Sequence, residues 1–423
     1  MMRNVAVIGG GLTGVMTAVA LSHAGHDIVL VDREPDEDQN NDKGQDDRGR
    51  ADRGRGDERT TTVNAAGARM LAALGVWDRI SAPPAPIRRV AVAEGSPSSG
   101  RMARRRSATD LSWQDAGTPM AFVVDNMALR DALRATIMER PVTWLRGMEV
   151  TERQLRRQAS RLTLTDSGGR SSAIDAALVV ACDGARSRMA EGAGLGLRES
   201  RQTQTAIVTT LEAEQHHDDT AFQRFLRTGP FALMPCPGNR LSLVWTLPNA
   251  EAKRLVSVDR KTFEAACLDA FGTQLGHLYL AGTRLAWPLR PSWRRHITAP
   301  GLVLAGDAAH AIHPLAGQGY NLALADAAVL ADLLADAGRR GLPASHMSLR
   351  HAYESARWRE RAGMTTVTTG INGLFSAAPA AAGRLAGLGF AILDRLPVKS
   401  VFSDIAAGGQ LCEASLLEGR LPA

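Results

Sequence analysis

Short runs of β-branched and apolar residues recur along the chain, and alanine-rich stretches at helical spacing lie between several of them. The runs at 4–8 and 28–32 flank a helical stretch over 12–24, which predicts a βαβ unit at the start. Residues 34–58 then lose all apolar periodicity. Their Asp, Arg and Gly cannot bury a core, so they read as a disordered surface insertion. Helical spacing returns over 63–74 and stops at Gly75. The stretch 81–117 is rich in Pro, Ser, Gly and Arg and only weakly patterned. Further on, the pattern predicts a strand over 120–124, a helix over 128–138 and a buried strand over 177–182. Three strands are expected between about 205 and 247, an apolar strand over 302–305 and a long helix from Tyr320. The last segment, 346–423, reads as mostly helical, and no internal repeat is found. The class is α/β.

Composition narrows this picture. A chain of 423 residues with 44% hydrophobic and 22% charged positions is expected to fold as two joined globular domains. Cys182, Cys236, Cys267 and Cys412 are too far apart for a disulfide framework or a zinc site, which points to a reduced, cytoplasmic protein. The net charge of +6 rests on arginine, since Lys43, Lys253, Lys261 and Lys399 are the only lysines. A basic balance suits an anionic cofactor, an anionic lipid or a nucleic acid. The arginines are scattered among few aromatics, so nucleic acid is the weakest of the three. The opening apolar run breaks at Gly9-Gly10-Gly11, too early for a signal peptide, and no apolar run reaches the ~18 residues of a membrane span.

Three motifs carry chemistry. Gly9-Gly10-Gly11-Leu12-Thr13-Gly14 is a GxGxxG between strand and helix. Gly9 permits the tight turn, Gly11 lets backbone approach a pyrophosphate, and Gly14 lets the helix pack closely on the sheet. Asp32 ends the second strand, where a carboxylate can accept the hydroxyls of an adenosine ribose. The second motif is Gly306-Asp307-Ala308-Ala309-His310, leading to Pro314-Leu315-Ala316-Gly317-Gln318-Gly319-Tyr320-Asn321. Asp307 sits at the carboxyl edge of a strand and suits a ribityl hydroxyl. Gly317 and Gly319 admit a flat ring against bare backbone at the positive end of a helix. The third is Asp183-Gly184 after a buried strand, a turn that needs no ligand by itself. Arg59 could pair with a phosphate or remain a solvated surface charge. His310 and His313 have a spacing that suits two metal ligands, but no third ligand accompanies them, and no metal is expected.

These motifs, in this order, resemble the class A FAD-dependent aromatic monooxygenases, which share the p-hydroxybenzoate hydroxylase fold. Within that class the chain is similar to the ubiquinone-biosynthesis hydroxylases. The resemblance is most specific from Gly306 to Leu322. It extends to Trp287-Pro288-Leu289, Asn372-Gly373-Leu374-Phe375-Ser376, Asp57-Glu58-Arg59-Thr60 and Val123-Val124-Asp125-Asn126. It covers nearly all of the chain except 34–56 and about 88–117. It implies a Rossmann-like FAD-binding domain over 1–80, 118–195 and 285–345, a β-sheet substrate domain over 81–117 and 196–284, and a C-terminal helical segment over 346–423.

The same resemblance assigns cofactor contacts to Gly9, Gly11, Gly14, Asp32, Arg59, Asn126, Asp183, Gly184, Asp307, Gly317, Gln318, Gly319 and Asn321. Pro314, Gly317 and Gly319 would line the flavin's reactive edge, with His313 on the substrate side. Three departures stand out: Asp32 in place of glutamate, Cys182 in place of alanine, and Ala190 where an arginine often closes the Asp-Gly motif. The implied reaction has NAD(P)H reduce FAD, O₂ form a flavin C4a-hydroperoxide, and oxygen pass to the ring of a polyprenylated phenol. Substrate would enter over the sheet of 196–284, and the apolar segment 385–396 would line its channel, touch the bilayer or simply pack. Peripheral contact with the inner membrane and membership of a quinone-synthesis complex belong to the same expectation. Two alternatives stay open: a hydroxylase of a secondary-metabolite ring, and a non-catalytic flavoprotein component of a quinone-synthesis complex. A flavin halogenase is disfavoured, because no WxWxIP stretch occurs.

Overall fold

The computed structural model describes residues 2–35, 59–95, 111–114, 117–157, 159–199, 204–311, 319–358, 360–361 and 413–422. Most of the insertion expected at 34–58 lies outside these residues, as do 312–318 and 385–396.

The apolar run of β1 (Met2–Ile8) ends at Gly9, and α1 (Leu12–Ser22) begins behind Gly11 without a side-chain cap. A turn through Gly25, at φ +75°, leads into β2 (Ile28–Val31). The two strands pair in parallel from Val5↔Ile28 to Ile8↔Val31, which is the βαβ unit that the sequence predicts.

Next come β3 (Thr60–Asn64) and α2 (Ala65–Ala73). The helix expected over 63–74 therefore starts at Ala65. The β-branched run Thr60-Thr61-Thr62-Val63 takes strand pairing instead, and the Asn64 side chain caps the helix by accepting from Gly67 N at 2.7 Å. The weakly patterned 81–117 contains three short strands, β4 (Ala85–Ile87), β5 (Arg89–Glu94) and β6 (Leu111–Gln114). Strand β7 (Ala121–Asp125) runs directly into α3 (Asn126–Met138), with Asp125 capping Ala128 N at 2.9 Å.

Strands β8 (Val142–Leu145), β9 (Met148–Leu155), β10 (Ser160–Asp166) and β11 (Ser171–Ala181) follow, then α4 (Arg188–Gly192) and β12 (Leu197–Glu199). Between 204 and 248 there are four strands rather than three: β13 (Gln204–Ala213), β14 (Thr220–Leu226), β15 (Gly229–Pro235) and β16 (Arg240–Pro248). The β14–β15 hairpin closes through Arg227 and Thr228 alone. That pair lacks the Asn-Gly type of signal that marks such turns. Helices α5 (Asn249–Ser257) and α6 (Arg260–Phe271) come next, then β17 (Leu278–Leu280), β18 (Leu285–Pro288), β19 (Ser292–Arg294), β20 (Thr298–Ala299), β21 (Leu302–Leu304) and β22 (His310–Ala311). Helix α7 (Gly319–Arg339) is the long helix expected from Tyr320, and a further helix spans 347–358.

The first large sheet has the order β20-β21-β11-β1-β2-β8, with β9 and β10 extending β11. Its centre is parallel, so β1, β11 and β21 all end at one edge. The second has the order β17-β13-β16-β15-β14-β5-β6, with β18 added on β13. One face of it packs Phe231 and Trp245 against Phe263 and Phe271 of α6. The other face packs Ala221, Ala232 and Met234 against Ile87, Met120, Ala121 and Val123, which belong to the small sheet β3-β7-β4 and its flank. A hydrogen bond of 2.8 Å from Thr60 Oγ1 to Ser242 Oγ also ties β3 to β16.

Candidate active site

Three strand-ending turns meet at the carboxyl edge of the parallel sheet, where ligands of open α/β sheets sit. In the first, Gly9 adopts φ +106°, and a Cβ there would stand 2.5 Å from Cys182 O. A Cβ on Gly14 would overlap the Gly9 carbonyl oxygen, so α1 can lie on the sheet only because this position is bare. Gly11 faces open space, so its backbone remains approachable at the N-terminus of α1. Asp32 is buried beside Gly10, and burial raises its carboxyl pKa against the opposing backbone N–H of Glu34.

The second turn carries Gly306 at φ +60° and Asp307 in a single 3₁₀ turn. Asp307 is solvent-accessible yet crowded by protein on its other sides, and that crowding raises its pKa. Beneath it, Asp326 of α7 accepts from Gly306 N at 2.8 Å and from Arg357 Nε at 2.6 Å, and both side chains are 0% exposed. Arg357 also reaches Glu360 and the Leu322 carbonyl. His310 Nε2 stands 3.4 Å from Asp326, and burial pushes its pKa down to about 4. At neutral pH His310 is therefore uncharged.

In the third turn, Gly184 adopts φ +87° beside open space. Asp183 accepts weakly from Met189 N through one oxygen, and its other oxygen is buried without a partner. Asn126 at the start of α3 likewise buries an unpartnered Oδ1, while its N–H donates to Arg59 O at 3.1 Å. Buried acceptors are costly unless something completes them. One lies beside the open Gly184 turn and the other beside Arg59, and such acceptors fit a polar, hydroxyl-bearing cofactor. The Arg59 guanidinium, just before β3 of the small sheet, lies over the Trp287 ring of β18 in the second large sheet, 4.9 Å from its centroid. Asn321 is committed to β3: its Oδ1 accepts from Asn64 N and its Nδ2 donates to Thr62 O, both at 2.9 Å. Its side chain therefore fixes the first turn of α7 against β3, and Gly319 beside it faces open space. His313, Pro314, Gly317 and Gln318 lie outside the described residues.

Comparison with known proteins agrees with this geometry. A family profile described as FAD binding domain matches residues 2–359. Ubiquinone hydroxylase UbiL of Rhodospirillum rubrum is 35% identical over 410 residues, covering 96% of this chain and 89% of that protein. The chain belongs to the FAD-binding ubiquinone-hydroxylase family. The 3-demethoxyubiquinol 3-hydroxylase of Escherichia coli is 30% identical, with 80% of this chain and 81% of that protein covered. Among solved structures, p-nitrophenol 4-monooxygenase PnpA from Pseudomonas putida DLL-E4 shares the fold at a TM-score of 0.68 and 16% identity, covering 93% of this chain and 94% of that one. The p-hydroxybenzoate hydroxylase type of fold and the FAD cofactor expected from the motifs are thus those of this hydroxylase.

Sequence reasoning missed Arg294 and the Asp326 cluster in this FAD-binding hydroxylase. Arg294 of β19 is buried, donates from Nε to Ala308 O at 3.0 Å, and also reaches Leu195 O. It joins the loop after α4 to the Gly306-Asp307 turn and lies in the field of Asp183 and Glu191. Ala190, by contrast, is fully buried inside α4, behind the cap that Ser187 provides. The cation near Asp183 thus comes from β19, more than a hundred residues further along the chain. No local spacing could have signalled it.

Proposed function

We propose that this chain hydroxylates the aromatic ring of a phenolic polyprenyl precursor of ubiquinone, with NAD(P)H as reductant and O₂ as oxidant. The observation that carries the reading is the meeting of the three turns at one sheet edge, with buried acceptors on Asp183 and Asn126 left unpartnered. Gly9, Gly11, Gly14 and Asp32 would hold the ADP half of FAD, and Asp307 the ribityl chain. Asp183, Gly184 and Asn126 would complete polar contacts at the flank, with Arg59 facing the pyrophosphate side. Pro314, Gly317, Gln318 and Gly319 would border the ring. Bound FAD supplies the electron and oxygen transfer.

The chain's own residues position and exclude. Asp326 fixes the Gly306 N–H, so Asp307 is aimed before any ligand arrives. The α7 N-terminus at Gly319 favours negative charge beside it. The second large sheet packs on the small sheet β3-β7-β4 and would cover the substrate side, where it would keep water from the reacting ring. The division proposed is FAD-binding domain over 1–80, 118–195 and 285–345 and substrate domain over 81–117 and 196–284, with β18 of the former completing the substrate sheet.

Absorbance of the purified protein, followed by anaerobic NADPH addition, tests the reading. Flavin bands that bleach faster when a prenylated phenol is present support it, provided that aerobic turnover adds one oxygen to the phenol by mass. A colourless protein that takes up no FAD defeats it. Peripheral contact with the inner membrane belongs to the same proposal, supported by the exposed Leu285 and Trp287 at the sheet's rim. Among the described residues no helix is long and apolar enough to cross a membrane. Flotation with anionic liposomes should recover the protein, and its staying in the soluble fraction counts against that contact.

A further inference from the structure

We infer that Gln223 is a specificity-determining residue that hydrogen-bonds an oxygen substituent of the aromatic substrate; this rests on the aromatic-hydroxylase reading above. Gln223 lies on β14 at 8% exposure, and neither its amide nitrogen nor its amide oxygen has a hydrogen-bond partner. A carboxamide has two N–H donors and one acceptor oxygen, and leaving all of them unmade in a protein interior is unfavourable. Natural chains keep such a group where something else completes it.

The strand register shows what it faces. Directly opposed residues share a face of the sheet. The row through Gln223 runs Val92, Gln223, Ala232, Val244, Val208, Leu285 across β5, β14, β15, β16, β13 and β18. Thr209 and Trp245 also bury unpartnered polar atoms, but both lie on the opposite face, which packs on α5 and α6. Gln223 is on the face turned to β4 and β7, and β7 leads into Asn126. The rows on either side contain Ser242, bonded to Thr60, and Trp287, under Arg59. The residues around the cofactor edge thus bracket the Gln223 row.

Leu285 is 37% and its neighbour Trp287 55% exposed, Val208 and Val244 are half-buried, Ala232 and Gln223 are buried, and Val92 beyond them is half-buried again. The row therefore has an apolar rim open at β18, small and β-branched side chains along it, and one polar group at its most buried stretch. Gln223 and Val244 are two strands apart, about 10 Å, which is a span suited to a substituted ring. Carboxamide N–H can donate to a phenolate, carbonyl or methoxy oxygen, and its oxygen can accept from a phenolic hydroxyl.

The test uses FAD-loaded protein and the probes 2-prenylphenol and prenylbenzene, with binding read from the change in flavin absorbance. Wild-type protein is expected to prefer the phenol about tenfold, the worth of one hydrogen bond to a buried group. Gln223→Leu should keep its FAD, melt at a higher temperature without probe, and bind both probes alike, with prenylbenzene affinity unchanged. Gln223→Met, closer in length, should do the same and serves if the leucine variant does not fold. Retained preference for the phenol in either variant overturns the inference. So does a variant that folds but melts lower and loses FAD, since that marks a structural side chain. Wild-type protein whose flavin responds to neither probe overturns the aromatic-substrate reading, and this inference with it.

Discussion

The turns after β1 and β21 leave the same edge of one sheet, two strands apart, and both must hold backbone open to a ligand. The first is shaped by side chains that are missing: Gly9, Gly10 and Gly14 each stand where a Cβ would strike a neighbour. The second is shaped by large side chains brought from elsewhere, with Asp326 and Arg357 buried beneath Gly306 and Arg294 bonded to Ala308 O. A glycine turn is specified within six residues and cannot be repaired from a distance. A propped turn depends on residues that lie about a dozen positions before it and about twenty to fifty after it, and it can be tuned there without touching the turn.

The largest effect that would break this contrast is expected at the prop. Asp326→Ala takes from the buried Arg357 guanidinium one of its two carboxylates, leaving only Glu360, also strips Gly306 N of its acceptor, and should cost about 3–5 kcal/mol in urea unfolding. The pair Asp326→Leu with Arg357→Met should recover most of that stability, because a buried ion pair stabilises little over well-packed apolar groups. Its FAD affinity should stay low, since Gly306 N has then lost its acceptor. A loss below ~1 kcal/mol for Asp326→Ala would mean that the turn does not rest on the prop.

Gly14→Ala comes next. Helix propensity favours alanine by up to about 1 kcal/mol, but the overlap with the Gly9 carbonyl outweighs it. A net loss of about 2–3 kcal/mol is expected, together with loss of bound flavin. Gain of stability in the FAD-free protein would remove the close-packing argument.

His310 gives the prop a pH dependence. The groups facing it are Asp326, which favours its protonation, and Arg361 and Arg357, which oppose it together with burial. Its folded pKa of about 4 lies below the ordinary 6.5, so the unfolded chain binds the additional proton between them. The stability is fully present above about pH 6.5 and is lost as pH falls toward 4, to a limit of about 3 kcal/mol. Urea midpoints at pH 7.5 and 5 should differ less in His310→Gln than in the wild type. An identical difference would show that His310 does not titrate with folding.

The smallest effect on stability sharpens the comparison from the first turn's side. Gly11 faces open space, so Gly11→Ala should change unfolding by less than ~0.5 kcal/mol while weakening FAD about tenfold. Flavin fluorescence during titration reads that loss. Unchanged affinity would place the pyrophosphate elsewhere.

What the sequence disclosed follows the same contrast. Gly9, Gly11, Gly14 and Asp32 were legible because their spacing is local: Gly9 and Gly14 each answer a local clash, and Gly11 keeps its backbone open. The Gly306-Asp307 turn was visible for the same reason, but its support was not. Asp326 lies in an alanine-rich helix, Arg357 and Arg361 belong to no motif, and Arg294 sits in a three-residue strand. Asn321 stood out by its motif, but nothing local told that its carboxamide also holds β3. Gln223 gave no signal, because one polar residue in a strand looks like half of an alternation. The fourth strand of the second sheet was hidden by a two-residue turn of Arg and Thr, and β4 to β6 by their short length.

The order of strands in the parallel sheet also sets a timetable. The ribosome makes β1 first, but its neighbour β11 ends at Ala181, β21 ends at Leu304, and the buried cation under the second turn is Arg357. At ~5–20 residues per second, translation delivers Arg357 at least about 15 s after Gly9. The second sheet needs nothing beyond Pro288, so its strands can pair while the first sheet is still without β21. On the division proposed above, a nascent chain would therefore form the substrate side before the cofactor side, and a scarcity of FAD would leave behind protein with its second sheet already formed.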